Sequence, residues 1–262
     1  VAAVHWSKAR SKHLQMRLNL DPALPALMAL DPHRVQQVLH NLLSNAIKFS
    51  EHGEVVLWAR RHGDWVWCGV DDQGPGISAE LLPRLFQPFE QGEELGQLRA
   101  QGTGLGLAIC RQLMEQMGGE IRVEPVATGG SRFICAWPLK ETQEKAPWQP
   151  RFKQISLQLP PEELTYVRAW LAEFGVTEEA MAPGLAATQD EQGLRAWSWQ
   201  GEPWIPGAVV SLLQPRLVQG SGEVADLPGA GMRVLLVEDH EVNRVLISMQ
   251  RSQLGAQGLR AA

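Results

Sequence analysis

The stretch Asp31–Ser50, DPHRVQQVLHNLLSNAIKFS, carries the clearest structural signal in the chain. Asp31 can accept hydrogen bonds from the unpaired amides of a helix start, and Pro32 suits the first helical position. Apolar residues then recur at helical spacing and form one face, namely Val35, Val38, Leu39, Leu42, Leu43, Ala46 and Ile47. We therefore predict a helix from Pro32 to Phe49 that buries this face.

The opposite face of this helix carries Asn41, Asn45 and Lys48. At about 100° per residue, these three side chains lie within about 60° of one another. A carboxamide oxygen suits a hard cation such as Mg²⁺, and an ammonium group suits phosphate. A solvated helix face explains the same stripe, so the stripe alone leaves the function open.

Further strands and a second helix surround this element. We predict strands at Glu54–Arg60 and Trp65–Asp71, a helix at Thr103–Met117 that stops at Gly118-Gly119, and strands at Glu120–Glu124 and Arg132–Trp137 around a turn at Gly129-Gly130. Helices on one face of a mostly antiparallel sheet predict an α+β two-layer sandwich for residues 1–140.

Two glycine-rich motifs lie between these elements. In Asp71–Ile77, DDQGPGI, Gly74 and Gly76 allow the backbone to approach a flat ligand, and Asp72 offers a carboxylate acceptor. An Asp-rich turn explains this motif equally well. In Gly102–Leu107, GTGLGL, unpaired amides at a helix start favour phosphate, although a glycine box of this kind is a weak signal by itself.

The segment between the glycine motifs contains LFQPFE at Leu85–Glu90, followed by the polar stretch Gln91–Gln101. A mobile lid that carries Arg99 is the functional interpretation of the polar stretch, and an ordinary surface loop is the alternative.

In this order, the four motifs resemble those of the ATP-binding catalytic domain of sensor histidine kinases. This domain has the Bergerat fold of the GHKL superfamily, which also includes gyrase, Hsp90 and MutL. Asp31–Ser50 resembles the N box, Asp72–Ile77 the first glycine box, Phe86–Phe89 the F box and Gly102–Leu107 the second glycine box. The resemblance covers residues 1–140 and implies a protein histidine kinase that uses ATP and Mg²⁺.

The resemblance also implies a role for each matched residue. Asn45 would ligate Mg²⁺ at the phosphates, with Asn41 beside it, and Lys48 would contact phosphate oxygens. Asp72 would accept a hydrogen bond from the adenine amino group. The other implied nucleotide-binding residues are Gly74, Gly76, Ile77, Phe89, Arg99, Gly102, Thr103, Gly104, Leu105, Gly106 and Leu107.

Position 41 bears on the type of reaction. ATPases of the superfamily carry an acidic residue four positions before the Mg²⁺-binding Asn, whereas Asn41 is a poor general base. This favours phosphoryl transfer to a His imidazole. No His of the chain has a phosphoacceptor-like context, and the surroundings of His5 resemble the strand entry that follows the dimerisation hairpin.

We therefore expect a fragment that lacks its own dimerisation hairpin and does not autophosphorylate alone. Its expected partners are that hairpin, a receiver domain or response regulator, and a second copy in a full-length homodimer. An ATPase clamp of the gyrase or Hsp90 kind and a catalytically decayed nucleotide-binding scaffold remain the alternatives.

Two polar linkers, at residues 141–150 and 219–231, divide the rest of the chain. Residues 232–262 resemble the first strand and helix of a response-regulator receiver domain. There Glu238 and Asp239 would hold Mg²⁺ at the end of a buried strand. The phosphoacceptor Asp of such a domain would lie beyond Ala262, so we predict a truncated receiver-like βα unit.

Residues 151–218 are predicted to form a small α/β module, for which a degenerate receiver-like module is one interpretation. We expect a strand at Phe152–Leu159, a helix at Pro161–Phe174 and another strand at Ala208–Leu213. Core packing rather than an interface is the favoured explanation for the tryptophans that flank a predicted hairpin, Trp197, Trp199 and Trp204.

Composition limits the broad class. The formal net charge of −5 argues against a nucleic-acid partner. No apolar run reaches the ~18 residues of a membrane span. Cys68, Cys110 and Cys135 are expected to be buried free thiols in a reducing compartment. We expect a cytoplasmic portion of a parent protein anchored in the inner membrane.

Overall fold

The computed structural model describes side chains and backbone over residues 1–25, 28–90, 104–126, 129–139, 152–189 and 193–209, and backbone alone at 233–236 and 257–260. The chain divides into two compact units, Val1–Pro215 and Arg216–Ala262.

The first unit opens with an α+β two-layer sandwich, as the sequence predicted. Its five-stranded sheet has the order β1-β2-β3-β5-β4, in which β1 and β2 are parallel and the other pairs are antiparallel. The strands are β1 Gln15–Leu20, β2 Glu54–His62, β3 Trp65–Asp71, β4 Glu120–Pro125 and β5 Ser131–Pro138. Three helices share one apolar core with the sheet, namely α1 Ala2–Ser11, α2 Pro32–Phe49 and α3 Gly106–Gln116.

Helix α2 begins and ends where its sequence predicts. The Asp31 carboxylate accepts hydrogen bonds from the amides of His33, at 3.0 Å, and Arg34, at 3.2 Å. These bonds satisfy two amides that have no partner within the helix. The predicted apolar face is turned to the core, where its fully buried members are Val38, Leu42, Leu43 and Ile47. Each such aliphatic side chain contributes about 1.5–3 kcal/mol through burial.

Three local predictions need correction. Strand β2 continues to His62, because Gly63, at φ +60°, lets a two-residue turn connect it to β3. Helix α3 begins at Gly106 instead of Thr103, since Gly104 has a left-handed φ of +67° that a right-handed helix excludes. His5 lies within α1 and not at a strand entry; α1 buries only His5 and Ala9, so it has too narrow an apolar face to be read from sequence.

A second five-stranded sheet follows in the same unit, with the order β10-β9-β8-β6-β7. Its strands are β6 Gln154–Gln158, β7 Thr177–Glu178, β8 Gly184–Gln189, β9 Arg195–Trp199 and β10 Glu202–Trp204. Helix α4, Pro161–Phe174, has its predicted bounds and ends at Gly175, whose φ is +65°. Its buried residues Val167, Trp170 and Leu171 pack against this sheet.

The tryptophan hairpin is confirmed, because β9 pairs antiparallel with β10. Trp197 and Trp199 are buried in the second core, as core packing requires. The predicted strand at Phe152–Leu159 is shorter, at Gln154–Gln158. Ala208 and Val209 are not in a strand as predicted, and residues 210–213 lie outside the described part of the chain.

The second core and the first sheet meet at β1. The Leu18 amide donates to the Pro206 carbonyl at 2.8 Å. The Leu20 amide donates to the Tyr166 hydroxyl at 3.2 Å, and the Leu20 carbonyl accepts from the Trp170 indole at 3.1 Å. The edge of β1 that faces away from β2 is therefore hydrogen-bonded to the second part of the unit.

In the unit Arg216–Ala262, strand β11, Arg233–Leu236, pairs in parallel with β12, Gln257–Arg260. The helix predicted after the first of these strands lies outside the described residues. Over the described ranges, no helix has both the length and the apolar character needed to cross a membrane.

Candidate functional site

The polar face of α2 contains a short hydrogen-bond chain. The Asn41 side chain donates from Nδ2 to the Cys110 sulfur at 3.1 Å. Asn45 donates from Nδ2 to Asn41 Oδ1 at 3.4 Å. Within the described residues, Asn45 Oδ1 has no hydrogen-bond donor, so it is available as an oxygen ligand for a hard cation.

Lys12, the residue that follows α1, binds the C-terminal end of α2. Lys12 Nζ donates to the carbonyls of Ile47 at 2.7 Å and of Lys48 and Ser50 at 3.0 Å each. A cation at this end of a helix complements the helix dipole and satisfies its last carbonyls. Lys12 was missed in the sequence because its partners are at least 35 positions away.

The Lys48 side chain lies at the same end of α2. Its ammonium nitrogen is 4.6 Å from the centroid of the Phe49 ring. Partial burial lowers the pKa of Lys48 from its ordinary value, because desolvation disfavours the charged form. The hydration of the Lys48 ammonium is thus already reduced.

Asp72 is a buried carboxylate at the end of β3, with 7% of its surface exposed. Its Oδ1 accepts from the amides of Gly74, at 2.9 Å, and Ser131, at 3.3 Å. Burial raises the pKa of Asp72, and the two amide hydrogen bonds oppose that rise. Oδ2 has no donor among the described residues and is available to a ligand.

The second glycine of the β4–β5 turn supports Asp72. Gly130 has φ +91°, and a Cβ at this position would lie 2.0 Å from the Asp72 carbonyl oxygen. Only glycine allows this approach, which places the Ser131 amide against the carboxylate. The sequence showed this glycine as a turn residue but gave no sign of its contact with Asp72.

The neighbouring Asp71 has a structural role instead. It forms a two-point ion pair with Arg132, with distances of 2.8 and 2.6 Å, and accepts from the Trp58 indole at 2.7 Å. This pairing raises the pKa of Arg132. The adjacent acids are thus divided between sheet anchoring and the candidate site.

The first glycine box also reaches the end of α2. A Cβ on Gly74 would lie 3.1 Å from both Asp72 Oδ1 and the Phe49 carbonyl oxygen. Gly76 has a φ of +79°, which favours glycine, and Ile77 packs half-buried against the first core. The box therefore joins the strand end to the N-box helix.

The start of α3 lies against the middle of α2. A Cβ on Gly106 would lie 2.6 Å from Asn41 Oδ1, so glycine is required for this close approach. Leu105 occupies the position before the helix and makes no side-chain cap. The first-turn amides of α3 lack a side-chain cap, which is the arrangement that favours an anion. Leu107 packs against the first core.

The F box meets the second glycine box through the backbone. The Phe89 amide donates to the Gly104 carbonyl at 3.0 Å, and a Cβ on Gly104 would lie 2.8 Å from the Phe89 α-carbon. Phe89 has φ +65° and exposes 73% of its surface. The contact with Gly104 therefore fixes the backbone that carries this exposed ring.

The described motifs thus converge around α2: Asn41 touches Gly106, Gly74 touches the α2 terminus, and Gly104 touches Phe89. Some predicted residues lie outside the described part of the chain, namely Arg99, Gly102, Thr103, Glu238 and Asp239.

All three cysteines are buried free thiols, as predicted. Burial raises the pKa of Cys68 to about 12 and that of Cys110 to about 11, and it also raises the pKa of Cys135. Within the described ranges, no three His, Cys, Asp or Glu side chains are grouped to hold a metal ion.

Comparison with known proteins agrees with this arrangement. Residues 30–141 match the family described as histidine kinase-, DNA gyrase B-, and HSP90-like ATPase. Residues 30–141 therefore form an ATPase domain of this family.

Its relatives include named sensor kinases. The chain is 37% identical over 199 residues to sensor histidine kinase RcsC of Escherichia coli (strain K12), a match that covers 76% of this chain and 20% of that protein. It is 45% identical over 132 residues to the RcsC protein of Salmonella typhimurium, covering 50% of this chain and 14% of that protein. The chain therefore spans a fifth or less of the length of these relatives.

A solved structure shares the fold. The crystal structure of full-length ShkA in complex with AMPPNP matches with a TM-score of 0.55 and 21% identity, covering 100% of this chain and 64% of that chain. At this identity, the likeness concerns the fold alone.

Proposed function

We propose that this chain is the ATP-binding catalytic portion of a hybrid sensor histidine kinase, which transfers the γ-phosphoryl group to a His on a separate dimerisation hairpin. The observation that carries the proposal is the position of Asp72. Its buried carboxylate has one oxygen fixed by two backbone amides and the other available, and Gly74 connects it to the end of α2.

Asp72 is proposed to accept a hydrogen bond from the adenine amino group at Oδ2. The fixed Oδ1 prevents the carboxylate from rotating, so the acceptor is oriented before the base arrives. Gly74, Gly76 and Ile77 would line the base. A neutral carboxyl group would lose acceptor capacity, and the proposal therefore requires the ionised form of Asp72.

Phosphates are proposed to bind where α2 and α3 approach each other. Lys48 supplies a partly desolvated cation, and the uncapped amides at the start of α3 supply fixed dipoles. Gly104, Leu105, Gly106 and Leu107 would surround the phosphates and ribose, with Phe89, Arg99, Gly102 and Thr103 contributing from the lid side.

The donor set fits Mg²⁺ carried with ATP. Asn45 Oδ1 is a neutral oxygen ligand whose own amide nitrogen is already hydrogen-bonded to Asn41. A carboxamide oxygen beside substrate phosphates suits Mg²⁺, a hard cation that keeps several waters and binds few protein ligands. When bound, the ion neutralises phosphate charge.

The chemistry and hydrogen bonding of Asn41 favour phosphoryl transfer over hydrolysis of ATP. Its amide nitrogen and oxygen are both hydrogen-bonded, and a carboxamide does not accept a proton from water at neutral pH. In the proposed reaction the terminal P–O bond of ATP breaks, an N–P bond forms at the acceptor imidazole, and ADP leaves. The chain's contribution is to hold the phosphates in line with the acceptor.

The surrounding organisation is also proposed. Residues 1–140 would form the catalytic domain, 141–150 a linker, 151–218 a small spacer module, 219–231 a second linker and 232–262 the start of a receiver. Glu238 and Asp239 would hold the receiver's Mg²⁺, and its complete form would receive the phosphoryl group. We place this assembly on the cytoplasmic side of an inner-membrane-anchored homodimer.

The test uses the 262-residue chain and γ-labelled ATP, with a separately expressed hairpin of a sensor histidine kinase relative as the acceptor. We expect label on the hairpin that is lost in acid and kept in base, as phosphohistidine requires, and no label with Asn45→Ala. A Glu163→Gln chain serves as a matched control, because Glu163 is a buried acid of the second core.

Two outcomes would overturn the proposal. Steady release of inorganic phosphate without label on the hairpin would identify an ATPase clamp. Folded chain that binds no nucleotide would identify a non-catalytic scaffold.

A further inference from the structure

Cys110 lies on α3 with 1% of its surface exposed and faces α2. Its sulfur takes part in two hydrogen bonds with that helix. The thiol donates to the Val38 carbonyl at 3.9 Å, and the sulfur accepts from Asn41 Nδ2 at 3.1 Å. The thiol is thus one of the points where α3 contacts the polar face of α2.

These two bonds have a fixed direction. A carbonyl oxygen only accepts, so the long contact with Val38 directs the thiol hydrogen away from Asn41. Burial raises the pKa of Cys110 to about 11, and the hydrogen is therefore present at neutral pH. With its hydrogen directed at Val38, the sulfur accepts from Asn41 Nδ2 at 3.1 Å, and this bond favours the orientation in which the Asn41 amide nitrogen faces Cys110.

The orientation of the Asn41 carboxamide determines that of the Asn45 carboxamide. With its nitrogen towards Cys110, Asn41 presents Oδ1 to Asn45, which donates from Nδ2 at 3.4 Å. The Asn45 nitrogen is thereby occupied, and among the described residues Asn45 Oδ1 is the end of this series of hydrogen bonds and has no donor. A reversed Asn41 would present its own nitrogen and would favour the opposite orientation of Asn45.

Gly106, one helical turn before Cys110, allows these hydrogen-bonded side chains to lie close together. An added Cβ there would lie 2.6 Å from Asn41 Oδ1 and 2.7 Å from Nδ2. Asn41 is therefore confined between two positions of α3, and its carboxamide has little space to rotate.

We propose that Cys110 is a positioning residue of the nucleotide site: through Asn41, its thiol turns the Asn45 oxygen towards the metal ion that accompanies ATP. The inference rests on the proposed function, because it takes Asn45 as the Mg²⁺ ligand. It assigns to a core cysteine the outer-shell role that commonly orients the ligands of a metal site.

Substitutions of Cys110 can distinguish the loss of its hydrogen bonds from a change in side-chain volume. Cys110→Ala and Cys110→Val remove the acceptor with smaller and larger side chains, whereas Cys110→Ser keeps a donor and an acceptor. Cys135→Ala is the matched control, because Cys135 is a fully buried thiol of the same core that has no hydrogen bond to the polar face of α2 in the described structure.

The first readout is calorimetric titration of AMPPNP into the full chain, with Mg²⁺ and with a chelator. We expect Cys110→Ala and Cys110→Val to raise the Kd for the Mg²⁺ complex about tenfold, as loss of outer-shell support does in metal sites. The Kd without Mg²⁺ should be unchanged, and Cys110→Ser and Cys135→Ala should behave as wild type.

The second readout needs no nucleotide. In chain labelled with ¹⁵N-asparagine, the side-chain amide resonances of Asn41 and Asn45 should shift together in Cys110→Ala and Cys110→Val. They should stay near their wild-type positions in Cys110→Ser and Cys135→Ala.

The outcomes distinguish the two proposals. If wild type binds AMPPNP without any Mg²⁺ dependence, the proposed function fails and the role of Cys110 fails with it. If wild type depends on Mg²⁺ but Cys110→Val keeps that dependence and the wild-type resonances, only the positioning role is overturned. If both Kd values rise equally, or Cys110→Ser fails to rescue, the effect is one of packing and the positioning role is likewise overturned.

Discussion

The first unit contains two buried carboxylates that are used in opposite ways. Glu163 on α4, 8% exposed, has both oxygens occupied: Oε1 accepts from Arg195 at 3.2 Å and Oε2 from the Trp197 indole at 2.6 Å. Asp72, 7% exposed, accepts hydrogen bonds at Oδ1 from backbone amides, and among the described residues it has no donor at Oδ2 and no paired cation. Similar burial therefore accompanies different chemistry.

The difference indicates how a binding carboxylate can be distinguished from a structural one. A buried charge is costly unless it is paired and hydrogen-bonded, and Glu163 meets both conditions. Asp72 retains an unsatisfied acceptor, and its raised pKa reflects that cost. A ligand donor would give Asp72 Oδ2 the partner that it lacks among the described residues, whereas each oxygen of Glu163 already has a donor from the protein.

The largest expected effect comes from Asp72→Asn. The amide keeps an acceptor for the backbone amides but presents a donor to the adenine amino group. Loss of a hydrogen bond to a charged acceptor should cost about 2–3 kcal/mol, or roughly 30- to 150-fold in the Kd for AMPPNP. Calorimetry checks this, and Glu163→Gln is the control. Equal losses in the two variants would contradict the division of roles.

A somewhat smaller effect is expected from Gly130→Ala, which tests the backbone support of Asp72. The new Cβ would overlap the Asp72 carbonyl oxygen, and relief of that overlap must displace the strand end. Gly129→Ala is the matched control, since φ there is +94° but nothing lies within 4 Å of a Cβ. We expect Gly130→Ala to lower the free energy of unfolding by about 2 kcal/mol more than the control. Urea denaturation measures both, and equal losses would show that the contact is unimportant.

Glu163→Gln should have a moderate effect on stability and none on nucleotide binding. The variant weakens the hydrogen bonds to Arg195 and Trp197, so we expect the free energy of unfolding to fall by about 1–2 kcal/mol. Glu162→Gln is the control, because Glu162 faces the same Arg195 at 3.7 Å from an exposed position. Glu162→Gln should lower the free energy of unfolding by less than Glu163→Gln does, because exposed ion pairs contribute little to stability. A larger loss from Glu162→Gln would refute the structural role assigned to Glu163.

The smallest expected effect concerns pH. Because the pKa of Asp72 is raised in the folded state, mainly by desolvation, ionisation of Asp72 costs stability above that pKa. This cost disappears as the pH falls below the pKa of the unfolded state. Asp72→Asn should therefore be slightly more stable than wild type at pH 7, with the difference decreasing as the pH falls through the folded-state pKa. Urea midpoints at several pH values test this; a variant less stable than wild type at pH 7 would indicate that the charge stabilises the fold.

The sequence predicted α2 well because the position of a helix depends on local periodicity, whereas the roles of its polar residues stay predictions. Asp31, Pro32 and the apolar face determine where the helix lies, and the same geometry places Asn41, Asn45 and Lys48 together. The sandwich followed from the order of helices and strands, and the ATPase family was identified from four motifs in order.

Supporting contacts were not predictable in this way. Lys12, Cys110 and Ser131 reach the site from distant positions, and nothing in their local sequence indicates those partners. Helix α1 has too narrow a buried face to be recognised. The roles of Arg99 in the lid and of Glu238 and Asp239 in the receiver start stay predictions.

The covering of β1 has a consequence for synthesis of the chain. Leu18 donates to the carbonyl of Pro206, and 206 − 18 = 188 positions separate them. As the chain leaves the ribosome, β1 can pair with β2 early, but its other edge stays open until the distant segment emerges. During that interval the strand can pair with another chain, as exposed strand edges do. We therefore expect truncation after residue 140 to favour aggregation during expression, even though every motif of the proposed ATP site would be present.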